Sequence, residues 1–182
     1  MEGKLMLVKP DMTMAEEIAS YRNEFLEAGS SMDGTGSLRK CENPADWIEF
    51  NRTMENPKTV PAHLVAASQY AYVRESDGRI VGMIQLRHEL NEYLKNYGGH
   101  IGYSVRPSER KKGYAGKMLA DFLPVCRRMG LGRVLVTCLT GNEASRRTIL
   151  KNGGVYENTV FEPDLKANLE RYWIDLQHGR NE

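Results

Sequence analysis

The spacing of apolar residues changes several times along the 182-residue chain, and each change marks an element. KLMLVKP (4–10) reads as a strand ended by Pro10, which has no N–H to continue a ladder. Thr13 stands where an N-cap belongs, and Glu16 completes a capping box. Ala15, Ile18, Ala19, Phe25 and Leu26 then recur at helical spacing until Gly29 stops them. GSSMDGTGS (29–37) is expected to be a flexible loop, followed by a short helix from Pro44 to about Asn51 capped by Asn43.

The period then shortens. QYAYVRE (69–75) and RIVGMIQLRH (79–88) are β-rich, and the SDGR between them carries the Asp-Gly signal of a hairpin. After the polar stretch ELNEYLKNYGG, a third run, HIGYSV, ends at Arg106-Pro107. From Lys112 to about Met129 the pattern is helical, with Ala115, Met118, Leu119, Phe122, Cys126 and Met129 on one face. Pro124 lies inside that helix and must kink or shorten it; periodicity does not choose between the two. RVLVTCL (133–139) is a continuous apolar strand of the kind buried on both faces. Asn142 caps a further helix to about Asn152, which Gly153-Gly154 ends, and GVYENTVF and ERYWIDL read as two last strands. The order β-α-α-β-β-β-α-β-α-β-β, without repeats or linkers, implies one α/β domain over residues 1–182. Its sheet should be mixed, antiparallel early and parallel around the 113–129 helix.

Composition narrows the chemistry. A formal net charge of +1 argues against nucleic acid, which requires a wide basic face. Cys41, Cys126 and Cys138 form no CxxC pair, so neither a metal site nor a redox pair is expected, and reduced thiols fit a cytoplasmic protein. The apolar run near the start is too short for a signal-peptide core, being broken by Lys9 and Pro10, and no run is long enough to span a bilayer.

One stretch concentrates chemistry: RPSERKKGYAGKML, residues 106–119. A strand, a basic turn and a helix opening Gly113-Tyr114-Ala115-Gly116 meet the needs of a phosphate site. The first amides of a helix have no intrahelical acceptor and the helix dipole adds partial positive charge there. Small residues let a polyanion approach the backbone. A P-loop is excluded because Met118 follows Gly116-Lys117, and no G-x-G-x-x-G fingerprint is present.

What does fit is R-x-x-G-x-A, read at Arg110, Gly113 and Ala115, after a strand ending Val105-Arg106-Pro107 and ahead of a buried strand and Asn142. With the element order, this resembles the GCN5-related N-acetyltransferase (GNAT) superfamily over nearly the whole chain. GGHIGYSVRPSERKKGYA and NEASRRTILKNGG look like a bacterial subgroup of acetyltransferases. The resemblance implies a central mixed sheet with a splayed parallel pair of strands flanked by helices. It implies acetyl-CoA as co-substrate, its pyrophosphate held near Arg110, Lys111, Lys112, Gly113, Tyr114, Ala115 and Gly116. It also implies pantetheine contacts from the backbone of Tyr103, Ser104 and Val105, and a CoA-facing role for Asn142 and Ser145; for Asn142 a plain N-cap is the alternative reading.

The pattern is broken at Ile149, where many members place a tyrosine that protonates the leaving thiolate. Tyr156 is a substitute donor, or else an ordinary strand residue. His100 is a candidate base for the amine, against the plainer reading of a loop-end histidine, with His88 and Glu89 as weaker alternatives. The acceptor, a small-molecule or peptide amine, should be bordered by residues 29–37, 89–99 and the strand from Glu170, with Asp33, Glu89, Glu92, Tyr172 and Trp173 available to a cation. The competing function is a non-catalytic acyl-CoA-binding or partner-binding module on the same fold. Association into a homodimer is left open by the sequence.

Overall fold

The computed structural model describes residues 3–177. Its strands are β1 (Leu5–Val8), β2 (Ala67–Arg74), β3 (Arg79–Arg87), β4 (Ile101–Val105), β5 (Arg133–Leu139), β6 (Gly154–Glu162) and β7 (Ala167–Asp175). Its helices are α1 (Ala15–Glu27), α2 (Pro44–Met54), α3 (Tyr114–Arg128) and α4 (Glu143–Lys151). The strands form one seven-stranded sheet in the order β1-β2-β3-β4-β5-β7-β6, antiparallel throughout except for the β4–β5 pair.

Alternation along each strand sorts the core into two layers. On one face Ile18, Tyr21 and Phe25 of α1 and Trp47 and Ile48 of α2 bury Ala71, Val73, Ile80 and Met83. On the other, Met118, Leu119, Phe122 and Cys126 of α3 cover Ile84, Leu86, Ile101, Val134 and Val136. RVLVTCL is buried on both sides along its middle, as its unbroken apolar run requires. Gly78 at φ 68° makes the β2–β3 hairpin turn. Cys41, Cys126 and Cys138 are free thiols.

Four local details change or complete the sequence reading. The capping box at Thr13 does not form: Asp11 accepts from the Thr13 amide and hydroxyl, a 3₁₀ turn intervenes, and α1 starts at Ala15. Residues 29–37 are not a loose loop. Trp47 Nε1 donates to the Thr35 carbonyl at 2.9 Å, Gln69 Nε2 to the Gly34 carbonyl at 2.9 Å, and Gly34 lies on the backbone of Gly102, where a Cβ would come within 2.1 Å of the carbonyl oxygen. The polar stretch after β3 contains a π-helical turn, Leu94–Gly98. Pro124 neither shortens nor ends α3, which runs through it; the carbonyl it leaves unpaired belongs to Ala120, an exposed position where water can serve instead.

Candidate functional site

The parallel strands β4 and β5 share a single registered pair, Ile101 with Val136, and then diverge. His100 closes the root of the gap. Its amide donates to the Leu135 carbonyl at 2.8 Å, and its Nδ1 accepts from the Leu135 amide at 2.9 Å, so the imidazole takes the place of a main-chain carbonyl. The proton of the neutral ring therefore sits on Nε2. Burial, with Arg87 and Arg133 adding to it, pushes the imidazole down to about 4.

Beyond that root, the direction of the β4 main chain alternates. His100 O accepts from Arg87 and Arg106 N donates to Val81, which turns the groups of Gly102 and Ser104 toward β3 and those of Tyr103 and Val105 toward the gap. Ser104 thus leaves the set of backbone contacts expected of it: its carbonyl accepts from the Tyr21 hydroxyl at 3.1 Å, and its own hydroxyl pairs with the same phenol. Tyr103 sends its ring to the α3–α4 face, where its hydroxyl meets Ser145 Oγ at 2.8 Å, and burial pushes this phenol up to about 12.

At the end of β4 the residues that the sequence singled out form a turn leading into α3. Lys111 and Gly113 adopt left-handed conformations at φ 64° and 80°, and the first backbone bond of α3 runs from Lys117 to the Gly113 carbonyl. Across residues 111–116 the amides have no acceptor among the described residues, and no side chain caps the helix. A run of open N–H groups at a helix start has the chemistry to receive an anion. Gly113 and Gly116 leave open space where a Cβ would stand. Tyr114 is buried in the core, so only its amide joins that run.

Most of the positive charge of that stretch is already engaged. Arg106 is 1% exposed and ties β4 to α1, bonding Glu24 at 2.6 Å together with Glu17 and Ser20. Against the upward pull of burial, the bonds from Arg106 and Ser108 hold the Glu24 carboxyl down to about 2. Arg110 stacks over Phe25 and donates to the Val105 carbonyl and to Ser30, and Lys112 Nζ pairs with the buried Glu109 at 2.8 Å. These contacts hold the turn in shape, and the open amides are what it presents.

The remaining expected residues scatter. Asn142 caps α4 by accepting from the Ser145 amide at 3.1 Å, as both of its readings expect. Ile149 is fully buried in the core. Tyr156 lies on the edge strand β6, 53% exposed and bonded to Thr159, two strands from β5, so the structure withdraws it as a proton donor at the gap. Tyr172 points to the α4 side and donates to Glu170, while Trp173 lies under Arg133 and edge-on to His100; neither offers itself to a bound cation. Glu89 and Glu92 are exposed, and Asp33 is exposed with its carboxylate accepting from Ser31. His88 bonds Ser68.

Opposite α3, two segments cover the β4–β5 region: the 29–37 loop on Gly102, and the π-turn, held by Thr137 Oγ1 on the Tyr97 carbonyl at 2.7 Å and Arg171 on the Lys95 carbonyl at 2.8 Å. Arg87 lies between them, a residue sequence reading passed over as the polar end of an apolar strand. Among the described residues no group of histidine, cysteine and carboxylate side chains is arranged to hold a metal, and no helix is long and apolar enough to cross a membrane.

Comparison with known proteins agrees with this geometry. The family model described as an acetyltransferase (GNAT) domain matches residues 11–155. RimJ from Mycobacterium smegmatis, solved with CoA-disulfide, superposes with a TM-score of 0.74 at 17% identity, covering 100% of this chain and 86% of its own. The ribosomal-protein-S5-alanine acetyltransferase from Vibrio fischeri gives 0.70 at 17% identity, with 100% and 97% covered. The microcin C7 self-immunity acetyltransferase MccE, solved with acetyl-CoA and AMP, gives 0.67 at 16% identity, with 94% and 92% covered. Among curated protein sequences nothing matches.

Proposed function

The chain belongs to the GNAT acetyltransferase family, and on that footing we propose that it transfers the acetyl group of acetyl-CoA to a primary amine, on a small molecule or a peptide, by direct attack. One observation carries the reading. The unpaired amides of residues 111–116 stand at the end of the same strand whose main chain, at Tyr103 and Val105, is left without a partner in β5. A molecule that joins a diphosphate to a peptide-like arm fits both features at once.

Acetyl-CoA supplies an acyl group activated as a thioester. In this proposal the amides of residues 111–116 receive its pyrophosphate, with the side chain of Lys111 beside them and Arg110 and Lys112 holding the turn. Tyr103 and Val105 offer main-chain groups to the pantetheine arm; of these the Val105 carbonyl must first give up its bond from Arg110. The Tyr103 hydroxyl, still protonated at neutral pH and paired with Ser145, takes the donor role that Ile149 cannot fill. His100 is assigned a holding role: its Nδ1 lone pair is engaged, and at about 4 its ring is too weak a base for an ammonium at neutral pH.

Calorimetric titration with acetyl-CoA tests the donor half. Gly113→Glu should abolish binding, because it places a carboxylate in the anion cradle at a left-handed position; absence of wild-type binding at millimolar acetyl-CoA refutes the reading. Thiol release with a panel of amines then separates an enzyme from a binding module.

A further inference from the structure

Arg87 is the last residue of β3, and its amide bonds the His100 carbonyl. Its side chain lies on the face opposite α3, sunk deep enough that burial pulls the guanidinium below its ordinary range. Nη1 donates to the carbonyls of Gly98 and Gly99 at 3.0 and 3.2 Å, which pins the end of the π-turn. Nη2 runs toward β4, 3.5 Å from where a Cβ of Gly102 would stand, and the missing side chain there is what lets it lie so close.

Arg106, Arg146 and Arg171 each meet a carboxylate at 2.6 Å. Arg87 meets none among the described residues. The acidic groups that it feels, Asp33 and the Tyr93 hydroxyl, lie outside bonding range, and Asp33 is turned to Ser31. The Nε and Nη2 donors have no acceptor in the described chain, yet they are not sealed from solvent. A guanidinium drawn part of the way out of water without a counter-charge gains by acquiring one. Its role in pinning the π-turn uses only Nη1. The remaining edge, two parallel donors, has the geometry that matches a carboxylate in bidentate fashion. Nη2 of that edge lies beside Gly102, at the margin of the 29–37 loop and one residue from Tyr103, where the main chain opens to the gap.

We propose that Arg87 binds a carboxylate on the acceptor, and that the acceptor is accordingly an amine carrying a carboxylate, of the free amino-acid type. The proposal rests on the acetyltransferase reading and specifies its second substrate.

The test pairs amino acids with their decarboxylated amines: phenylalanine with phenethylamine, lysine with cadaverine, glutamate with 4-aminobutyrate as a carboxylate-retaining control. Thiol release and, with CoA present, calorimetric binding of the N-acetyl products are measured for each. The wild type should favour the carboxylated member of the first two pairs, and Arg87→Gln should lower kcat/KM for it by roughly 10- to 100-fold, the scale of a charge-assisted bidentate contact. Arg87→Lys, which keeps the charge without the fork, should recover only part of this and serves if the Gln variant fails to fold. Acetyl-CoA affinity measured on the same preparations monitors the donor site. Acetyl-CoA binding with equal or better use of the decarboxylated amines, or with no carboxylate-dependent binding across the panel, overturns the carboxylate assignment alone. Failure of acetyl-CoA to bind overturns the family reading beneath it.

Discussion

Acid should loosen the β4–β5 junction through one side chain. His100 is held neutral because its Nδ1 accepts from the Leu135 amide, and protonating that nitrogen sets two donors against each other. Its ring falls from an ordinary 6.5 in the unfolded chain to about 4 in the folded one. A depressed folded value means that the unfolded state binds the proton more readily. The contribution is therefore full above pH 6.5 and is lost as pH falls toward 4. At 1.36 kcal/mol for each tenfold difference in proton affinity, the amount at stake is about 3 kcal/mol. Other groups titrate over the same range, so the measurement is a difference. Urea unfolding of the wild type and of His100→Asn, whose Oδ1 can accept the same amide bond without titrating, is followed from pH 7.5 to 4. The wild type should lose about 3 kcal/mol more than the variant across that interval. A constant difference between the two proteins at all pH values would refute the reasoning, since the imidazole would then not be held neutral by the bond.

Further outcomes follow from the same geometry. Tyr103→Phe removes the hydroxyl paired with Ser145 and should lower kcat by roughly 100- to 10,000-fold with acetyl-CoA affinity unchanged; stopped-flow thiol release alongside calorimetry checks the split. Gly34→Ala drives a Cβ to within 2.1 Å of the Gly102 carbonyl at a position with φ 71°, so the loop must lift from β4. Its cost should be on the order of 2–4 kcal/mol, read by urea denaturation, with KM for the acceptor rising more than KM for acetyl-CoA.

The elements were legible because their periods are clean. Residues 133–139 announced a strand buried on both sides, and Asn43-Pro44 and Asp77-Gly78 marked their cap and turn without ambiguity. The turn into α3 was legible for a similar reason: Gly113 reports a left-handed backbone position, which sequence records directly. Long-range pairing is what sequence does not record. The buried state of His100 depends on Leu135, the order of the 29–37 loop on Gly102, Trp47 and Gln69, and the loss of the Thr13 capping box on competition from Asp11. Arg87 shows the limit most plainly. An arginine at the end of an apolar strand is ordinarily a solvated stop, and only the absence of a carboxylate within reach distinguishes it.

The divergence of β4 from β5 also divides the molecule mechanically. In the strand order, β1 to β4 lie on one side of that line and β5 to β7 on the other, and the described chain crosses between them once, through α3 and the turn at 129–132. The sheet is therefore two plates joined by one strand-to-strand rung, by the side-chain ties of His100, Tyr103, Thr137 and Arg171, and by the apolar underside of α3, which packs on both. A ligand lying along the gap would act as a brace between plates that the backbone scarcely ties. Its binding should appear as added resistance to shear along that line, and cutting the chain near Gly130 would turn the protein into a two-piece reporter whose reassembly depends on the ligand.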